Sequence, residues 1–211
     1  GMRYCLGKDA DGRHTYNVVD ATPTHATELP TSVTRNFYTT SSCGICGKAS
    51  LDAVRLRQPY DIGADAAALT PSTLALLPER LRAAQQVFSR TGGLHAAGLF
   101  TADGELVCLR EDIGRHNAVD KVVGWAVRNA SLPLAGHTLL VSGRASFELV
   151  QKALLAGVPV LAAVSAPSTL AVDLAAEAGM TLVGFLREET MNVYAGGHRL
   201  AEVAVSPTPG S

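Results

Sequence analysis

The chain has 211 residues, of which 47% are hydrophobic and 18% charged, and its formal net charge is -1 at pH 7. This composition is typical of a folded domain and excludes a disordered chain. The balanced charge, without any basic run, argues against a nucleic-acid duplex or a membrane surface as the main partner. We expect no transmembrane segment, no signal peptide and no disulfide scaffold, because the chain has only four cysteines and no apolar stretch of bilayer length. The expected location is a reducing cytoplasm.

The composition along the chain predicts one main domain with short flanking segments. Residues 1–32 are expected to be the remnant of an N-terminal subdomain that ends in a Thr- and Pro-rich linker at residues 20–32. The main domain is expected to span residues 33–205, and residues 206–211 are expected to form a disordered tail.

Hydrophobic periodicity predicts an α/β fold for the main domain. The predicted elements are, in chain order, a strand at 36–40, a short helix from Ala49, a helix at 78–90, a hairpin of strands at 94–101 and 105–110, a helix at 115–130, a strand at 138–142, a helix at 146–156, a strand at 158–164, a helix at 168–178 and a strand at 181–186. Strands that alternate with helices require crossover connections. We therefore expect a largely parallel sheet, made mixed by the hairpin, with helices on both faces.

Two of the four cysteines, Cys43 and Cys46, lie three residues apart in a glycine-rich loop at residues 41–47, the cysteine loop. The helix expected after this loop places both thiols near a helix N-terminus, where the partial positive charge favours thiolate, and Lys48 adds a cation. The two glycines of the loop leave the sulfur atoms accessible. The spacing therefore predicts a site for sulfur chemistry.

Three kinds of sulfur site compete for this pair. Structural zinc needs four ligands, and the sequence has no second C-x-x-C and no H-x-x-x-H, so only zinc shared across a dimer remains and we assign no metal ligands. A thioredoxin-like redox pair has this spacing, but it is found at the start of a βαβ unit with little chain before it. A persulfide carrier best explains thiols on a glycine loop beside loops suited to a nucleotide. We expect Cys5 and Cys108 to be inert, with Cys108 in the core.

Three loops lead from the predicted carboxyl end of a strand into a helix. They are the first loop at residues 111–117, the second loop at 142–146 and the third loop at 165–169. Ligands of open α/β sheets gather at that edge, and helix N-termini bind phosphates. Ordinary capping explains any single loop, but three at one edge favour a ligand with several phosphates, such as a nucleotide or dinucleotide cofactor. The residues expected to contact this cofactor are Arg115, His116, Asn117, Ser142, Arg144 and Ser165.

His116 has two interpretations. It is either a structural residue at a helix start or an imidazole that titrates near neutral pH beside bound phosphate or sulfur. It could also pair with Asp120 at the i,i+4 spacing. The other histidines are expected to be structural: His14, His25, His95, His137 and His198.

The segment at residues 185–190 follows the last predicted strand and combines an aromatic ring, a cation and two acids. Its Glu side chains could accept hydrogen bonds from a guanine edge, and Phe185 could stack on the ring. Composition alone favours the simpler alternative of an edge strand with a solvated turn.

The predicted order of helices and strands is that of the cytidine-deaminase-like three-layer fold. Zinc deaminases require a Glu two residues after a His or Cys ligand at the first of these helices, and P-C-x-x-C at the next. The chain has His116-Asn117-Ala118 at the first position and no cysteine in the second loop. We therefore expect this fold without deaminase chemistry.

Five segments, in order, resemble the motifs of the formate dehydrogenase accessory sulfurtransferases (FdhD family): residues 40–50, 111–121, 142–148, 164–168 and 184–187. The resemblance extends from about residue 36 to residue 194. The chain differs from that family in having a shorter N-terminal segment and Met191 where a Phe is common.

The resemblance implies a sulfurtransferase that accepts sulfane sulfur from a cysteine desulfurase as a persulfide. It would pass this sulfur to the molybdenum or tungsten bis-guanine-dinucleotide cofactor that formate dehydrogenase requires, with GDP-like nucleotides as partial mimics. It also implies that Cys43 carries the persulfide, that Cys46 assists it, and that the protein is a cytoplasmic homodimer. The residues it assigns to the guanine dinucleotide are Phe185, Leu186, Arg187, Glu188, Glu189 and Thr190. The alternatives are a non-catalytic cofactor-binding chaperone and a dithiol redox protein.

Overall fold

The computed structural model describes residues 2–4, 7–8, 10–12, 19–22 and 59–200. The chain divides into two compact units, Gly1–Thr40 and Ser41–Ser211. In the first unit, strands β1 (Met2–Tyr4) and β2 (Val19–Ala21) pair antiparallel. The prediction of a linker from residue 20 is therefore wrong at Asp20 and Ala21, because pairing with β1 supplies backbone hydrogen bonds that composition does not reveal.

Several predictions lie outside the described residues and stay predictions. They concern the strand at 36–40, the helix from Ala49, the domain limits at residues 32 and 205, and the tail at 206–211.

The second unit contains six strands and five α-helices among its described residues. In chain order these elements are α1 (Pro71–Ala84), α2 (Gln86–Thr91), β3 (His95–Phe100), β4 (Leu106–Asp112), α3 (Arg115–Arg128), β5 (Thr138–Val141), α4 (Phe147–Leu155), β6 (Val160–Ala163), α5 (Thr169–Glu177), β7 (Thr181–Arg187) and β8 (Thr190–Ala195), followed by a 3-10 turn at Gly197–Arg199. None of the helices in this part of the chain is long and apolar enough to cross a membrane.

The six strands form one mixed sheet in the order β4-β3-β5-β6-β7-β8. Strands β5, β6 and β7 are parallel, whereas β3 is antiparallel to both β4 and β5, and β8 is antiparallel to β7. Strand β4 therefore runs in the same direction as β5, β6 and β7. The ends of these four strands meet at one edge of the sheet, the carboxyl edge, and the three predicted loops start there.

Helices cover both faces of the sheet, as predicted. One apolar cluster joins the sheet to α3, α4 and α5, through residues such as Val119, Leu149 and Leu174. The other cluster joins the opposite face to α1 through Leu74, Leu77 and Leu81, which repeat at helical spacing. The mixed α/β class is thus confirmed, while its likeness to cytidine deaminases stays a prediction.

The predicted helix at 78–90 is wrong at its start and is interrupted near its end. Helix α1 begins at Pro71, because the Thr70 side chain accepts a hydrogen bond from the Thr73 N–H at 3.0 Å and Pro71 fits the first helical position. Pro78 lies inside the helix, and the chain leaves helical geometry at Gln85 before α2.

The 3-10 turn that follows β8 ends in a buried arginine, Arg199. Arg199 is only 2% exposed, and burial lowers its pKa. Its guanidinium donates to five oxygen atoms: the carbonyls of Ile62, Gly63, Asp65 and Gly179, and the hydroxyl of Thr181. This side chain joins three sequence-distant segments of the unit through saturated hydrogen bonding.

Candidate functional site

The described loops at the carboxyl edge contain all the predicted cofactor-contacting residues, whereas the cysteine loop with Cys43, Cys46 and Lys48 lies outside the described residues. The described residues therefore bear only on the predicted cofactor contacts and not on the cysteine pair.

The first loop is shaped around the carboxylate of Asp112. This carboxylate accepts hydrogen bonds from the Gly114 N–H at 2.9 Å and the Asn117 side-chain amide at 3.1 Å, and it pairs with the Lys121 ammonium at 2.6 Å. The Lys121 hydrogen bond, followed by those from Gly114 and Asn117, lowers the pKa of Asp112 to about 2. The Asn117 amide is thus engaged in holding the loop, while the residue remains exposed to solvent.

His116 belongs to a polar network that joins α3 to α4. Its Nε2 lies 2.9 Å from the Ser146 hydroxyl and 3.6 Å from Glu148. Burial is the main cause that lowers the pKa of His116; Glu148 acts in the opposite direction, and Arg115 lowers it further. Neutral imidazole is therefore favoured.

Asp120, the suggested i,i+4 partner of His116, bonds to Lys152 of α4 at 2.5 Å instead. Lys152 also lies 3.7 Å from Glu148 one turn before it on the same helix. The network therefore fixes α4 against α3, and it places His116 between a hydroxyl and a carboxylate.

The second and third loops are joined by backbone hydrogen bonds. The Ala145 N–H donates to the Ala166 carbonyl at 3.2 Å, and the Ser168 N–H donates to the Ala145 carbonyl at 2.9 Å. The Ser142 hydroxyl accepts from the Ala96 N–H at 2.9 Å, which extends the β3–β5 pairing. The Ser165 carbonyl accepts from the Phe185 N–H at 3.2 Å. The two loops therefore form one continuous rim with the end of β7.

The helix starts at this rim differ in how they are capped. Ser168 caps α5 in the ordinary way, by accepting from the Ala171 N–H at 3.3 Å. Gly114 and Ser146, at the starts of α3 and α4, make no side-chain capping bond, because glycine has no side chain and the Ser146 hydroxyl bonds to His116. The starts of α3 and α4 thus lack a side-chain cap, whereas at the start of α5 one N–H group is capped.

Arg115 and His95 converge on Gly143 in the second loop. A Cβ atom at Gly143 would lie 3.3 Å from Nδ1 of His95 and 3.7 Å from Cδ of Arg115. The Nε of Arg115 is buried and has no hydrogen-bond partner among the described residues. His95 was expected to be only structural, and nothing in its sequence surroundings places it beside Arg115. Arg144 is exposed next to this group.

The segment at residues 185–190 forms the turn from β7 into β8. Phe185 is 40% exposed with φ of 52°, whereas the Leu186 side chain is fully buried against the α1 face of the sheet. Arg187 donates from Nε to the Val164 carbonyl at 3.4 Å, and the Thr190 hydroxyl donates to the Arg187 carbonyl at 2.9 Å. Strand β8 is largely exposed and lies at the edge of the sheet, which confirms the predicted edge strand. Because the Leu186 side chain is buried, Leu186 could contact a ligand only through its main chain.

Two clefts adjoin these loops on the α1 side. The first has a volume of about 500 Å³ and lies between α1, α2 and the carboxyl edge; the residues that carry its chemistry are Arg82, Gln85, Phe88, His95 and Ser142. The second, of about 550 Å³, is lined by the first half of α1 together with Glu188 and Glu189. Of the polar and aromatic residues of the first cleft, the sequence pointed only to Ser142.

The residues that sequence reasoning missed come from α1, α2 and the start of β3. The Gly92-Gly93 pair, which also lines the first cleft, is the local signal that a turn approaches the sheet edge there. Among the described residues, no group of three His, Cys, Asp or Glu side chains could hold a metal ion.

Together, the mixed sheet and the loops at its carboxyl edge define an α/β protein with clefts at the edge where ligands of such sheets gather. A sequence profile of the FdhD/NarQ family matches residues 8–201. The chain belongs to this family.

Named relatives agree with this assignment. A protein of Streptomyces avermitilis called sulfur carrier protein FdhD is 66% identical over 200 residues, which cover 94% of this chain and 71% of the relative. A protein of the same name from Sulfolobus acidocaldarius is 47% identical over 167 residues, covering 79% of this chain and 64% of the relative.

A solved structure supports the fold. The crystal structure of a protein from Desulfotalea psychrophila, described as a formate dehydrogenase accessory protein, superposes with a TM-score of 0.60 at 27% identity. The match covers 68% of this chain and 63% of that protein.

Proposed function

We propose that this chain is a sulfur carrier that serves formate dehydrogenase. The observation that carries the proposal is its identity of 66% with a relative named sulfur carrier protein FdhD. The C-x-x-C pair supports it, because two thiols three residues apart in a glycine-containing segment suit the transfer of sulfur.

In the loading step, the Cys43 thiolate attacks the outer sulfur of a persulfide on a cysteine desulfurase. The sulfur–sulfur bond of the donor breaks, the donor leaves as a thiolate, and Cys43 becomes a persulfide. The exchange needs no external oxidant, because one sulfur–sulfur bond replaces another.

In the delivery step, Cys46 attacks the inner sulfur of the Cys43 persulfide. The outer sulfur leaves as hydrosulfide toward the metal of the bis-guanine-dinucleotide cofactor, which is the substrate, and a Cys43–Cys46 disulfide remains. A dithiol reductant reopens that disulfide before the next cycle.

We also propose that the carboxyl edge binds the guanine dinucleotide, and the described residues at this edge support this proposal. The uncapped starts of α3 and α4 offer N–H groups for phosphate oxygens, and Arg115 adds a guanidinium whose buried Nε has no partner among the described residues. We assign the phosphate contacts to Arg115, His116, Asn117, Ser142, Arg144 and Ser165, and further contacts to the turn at residues 185–190.

The sulfur-carrier proposal is tested by incubating the protein with a cysteine desulfurase and cysteine. Intact and peptide mass spectrometry should then find one added sulfur atom on Cys43. Cys43→Ala should abolish the adduct. Cys108→Ala is the matched control and should leave it unchanged, because Cys108 is buried in β4 and burial raises the pKa of its thiol.

The same experiment separates the alternatives. A protein that binds guanine nucleotides but forms no persulfide would be a cofactor-binding chaperone. A protein that cycles between a Cys43–Cys46 disulfide and dithiol with catalytic reductase activity, without a persulfide, would be a redox protein. The homodimer and the cytoplasmic location stay predictions.

A further inference from the structure

We propose that the first cleft binds the flat heterocycle of a nucleotide, and that the side-chain amide of Gln85 reads its hydrogen-bonding edge. The inference rests on the proposed function only for the choice of a guanine nucleotide as ligand. The site differs from the turn at residues 185–190, to which the family resemblance assigns the guanine dinucleotide.

Gln85 is the observation that carries this site. The residue is only 4% exposed and lines the cleft, and its side-chain amide makes no hydrogen bond within the described part of the chain. The amide is not among the polar groups buried there without a partner, so it faces the open space of the cleft. A polar group that the protein leaves unpaired at a cleft is available to a ligand that enters it.

The backbone holds Gln85 firmly in this position. Its N–H donates to the Arg82 carbonyl at 3.3 Å, and its carbonyl accepts from the Ser89 N–H at 3.3 Å and from the Ser89 hydroxyl at 2.6 Å. The residue therefore connects α1 to α2 in a defined conformation, and the amide is directed by bonds that do not involve it.

The wall beside Gln85 is flat. The Arg82 guanidinium carbon lies 4.2 Å from the centroid of the Phe88 ring, and both side chains line the cleft. Stacked guanidinium and aromatic groups form a planar surface on which a heterocycle can lie. The remaining wall is apolar, with Pro78, Leu94 and Val164.

Glu111 positions this wall from the end of β4. Its carboxylate oxygens accept from the Val87 N–H at 2.9 Å and the Phe88 N–H at 2.8 Å, which caps α2. Glu111 belongs to the motif of the first loop, and neither the proposed sulfur chemistry nor the phosphate contacts use it. We assign it the role of a positioning residue that holds Phe88 against the cleft.

The chemistry of the cleft selects a nucleotide. The amide of Gln85 offers an acceptor and two donors, which match the adjacent donor and acceptor atoms on the edge of guanine. At the other side, His95 and Ser142 line the cleft, and His95 converges with Arg115 on Gly143, where an anion would be neutralised. The volume of about 500 Å³ is within the range of small-molecule sites.

The test compares two adjacent glutamines by isothermal titration calorimetry with GDP as the probe. Gln85→Leu keeps the volume but removes the amide, and we expect it to weaken GDP binding by about ten-fold or more. Gln86→Leu alters an exposed residue of α2 that does not line the cleft, and it should leave binding unchanged. The thermal midpoint of Gln85→Leu should equal or exceed that of the unaltered protein, because the amide it removes bonds to no described residue and leucine adds apolar surface beside the core.

A second pair tests the flat wall. Phe88→Ala should weaken GDP binding by about ten-fold, whereas Val87→Ala, at an exposed neighbour, should not. Glu111→Gln should weaken it by a smaller factor, because one of the two bonds to α2 loses its acceptor.

The outcomes are distinct. If GDP binds and Gln85→Leu binds it as tightly as the unaltered protein, this site is overturned and the proposed function stands. If Gln85→Leu lowers the thermal midpoint together with the affinity, the amide is structural and the site is again overturned. If the unaltered protein binds no GDP, both this site and the nucleotide half of the proposed function fail, while persulfide formation on Cys43 still decides the sulfur half.

Discussion

Two buried polar side chains, Arg199 and Gln85, are almost equally hidden from solvent, at 2% and 4% exposure, but they differ in their partners. Arg199 donates to five oxygen atoms from two segments, residues 62–65 and 179–181. The Gln85 amide has no partner among the described residues and faces the open space of a cleft. The difference indicates that a group which builds the fold is saturated within it, whereas a group available for a ligand is left open.

The hydroxyl of Thr138 shows that an unpaired polar group does not by itself indicate a ligand site. The Thr138 hydroxyl, at the start of β5, is fully buried without a partner among the described residues, and Thr138 lines neither of the two clefts. An unpaired group therefore indicates a site only where there is space for a ligand beside it. Nothing in the structure explains the unpaired hydroxyl of Thr138.

The largest expected effect is the loss of stability on replacing Arg199, whose hydrogen bonds are all made within the fold. Arg199→Met should lower the free energy of unfolding by at least about 3 kcal/mol, because it leaves several buried carbonyls without donors. Urea denaturation measures the loss. Arg128→Ala, at an exposed position, is the control and should change it by less than about 0.5 kcal/mol. An equal, small change in both variants would show that Arg199 does not hold the unit together.

The next effect concerns Arg115, whose Nε is buried without a partner among the described residues. Arg115→Met should weaken GDP binding about ten-fold or more, as expected for the loss of a charged hydrogen bond, with little change in the free energy of unfolding. Arg115→Lys keeps the charge but not the planar guanidinium, so its GDP affinity should lie between that of Arg115→Met and that of the unaltered protein. Calorimetry and urea denaturation on the same samples check both statements. A large loss of stability with unchanged GDP binding would show that Arg115 is a structural residue, like Arg199.

A smaller effect on GDP affinity is expected from adding a side-chain atom at Gly143, beside His95 and Arg115. Gly143→Ala adds a Cβ at 3.3 Å from the His95 ring, which forces a shift of a few tenths of an ångström there. We expect GDP affinity to fall several-fold while the thermal midpoint moves little, since both neighbours are side chains at the rim. The control is Gly124→Ala, where the added Cβ meets nothing within 4 Å. Equal GDP affinities for the two variants would contradict the convergence of His95 and Arg115 on a ligand.

The smallest effect should appear as a pH dependence. The folded pKa of Asp112, about 2, lies below its ordinary value of 3.8, so its contribution to stability is complete above pH of about 4 and is lost as pH falls toward 2. Asp112→Asn should therefore be less stable than the unaltered protein at pH 6, and the difference should vanish near pH 2. Urea denaturation across this pH range measures the difference. A difference that is constant with pH would show that the charge of Asp112 does not hold the first loop.

The sequence predicted most elements between residues 94 and 187 because their apolar residues follow a clear period. Strands β3, β5 and β6 lie within the predicted ranges, and helices α3 to α5 do as well, whereas β7 extends one residue past its predicted end. Helix α1 was misplaced at its start because Pro78 was read as an initiator, whereas Thr70 and Pro71 supply the cap and the first position. Local signals therefore located the interior of an element better than its ends.

The candidate site was predicted in part for the same reason. Loops that follow parallel strands must meet at one edge, so Arg115, Ser142 and Ser165 could be grouped from their order alone. Gln85, Phe88 and His95 could not, because their grouping depends on how α1 and α2 pack over the sheet and on the cap that Glu111 provides from β4.

By itself, the sequence determined the α/β class, the edge at which a ligand would gather, and the pair of thiols that points to sulfur chemistry. These follow from periodicity and from the intrinsic chemistry of residue types, which act over short stretches of chain. Only the tertiary structure decided which buried polar groups are saturated and which are open, since a hydrogen-bond partner is supplied by a segment distant in sequence. Arg199 and Gln85 acquired their different roles in that way.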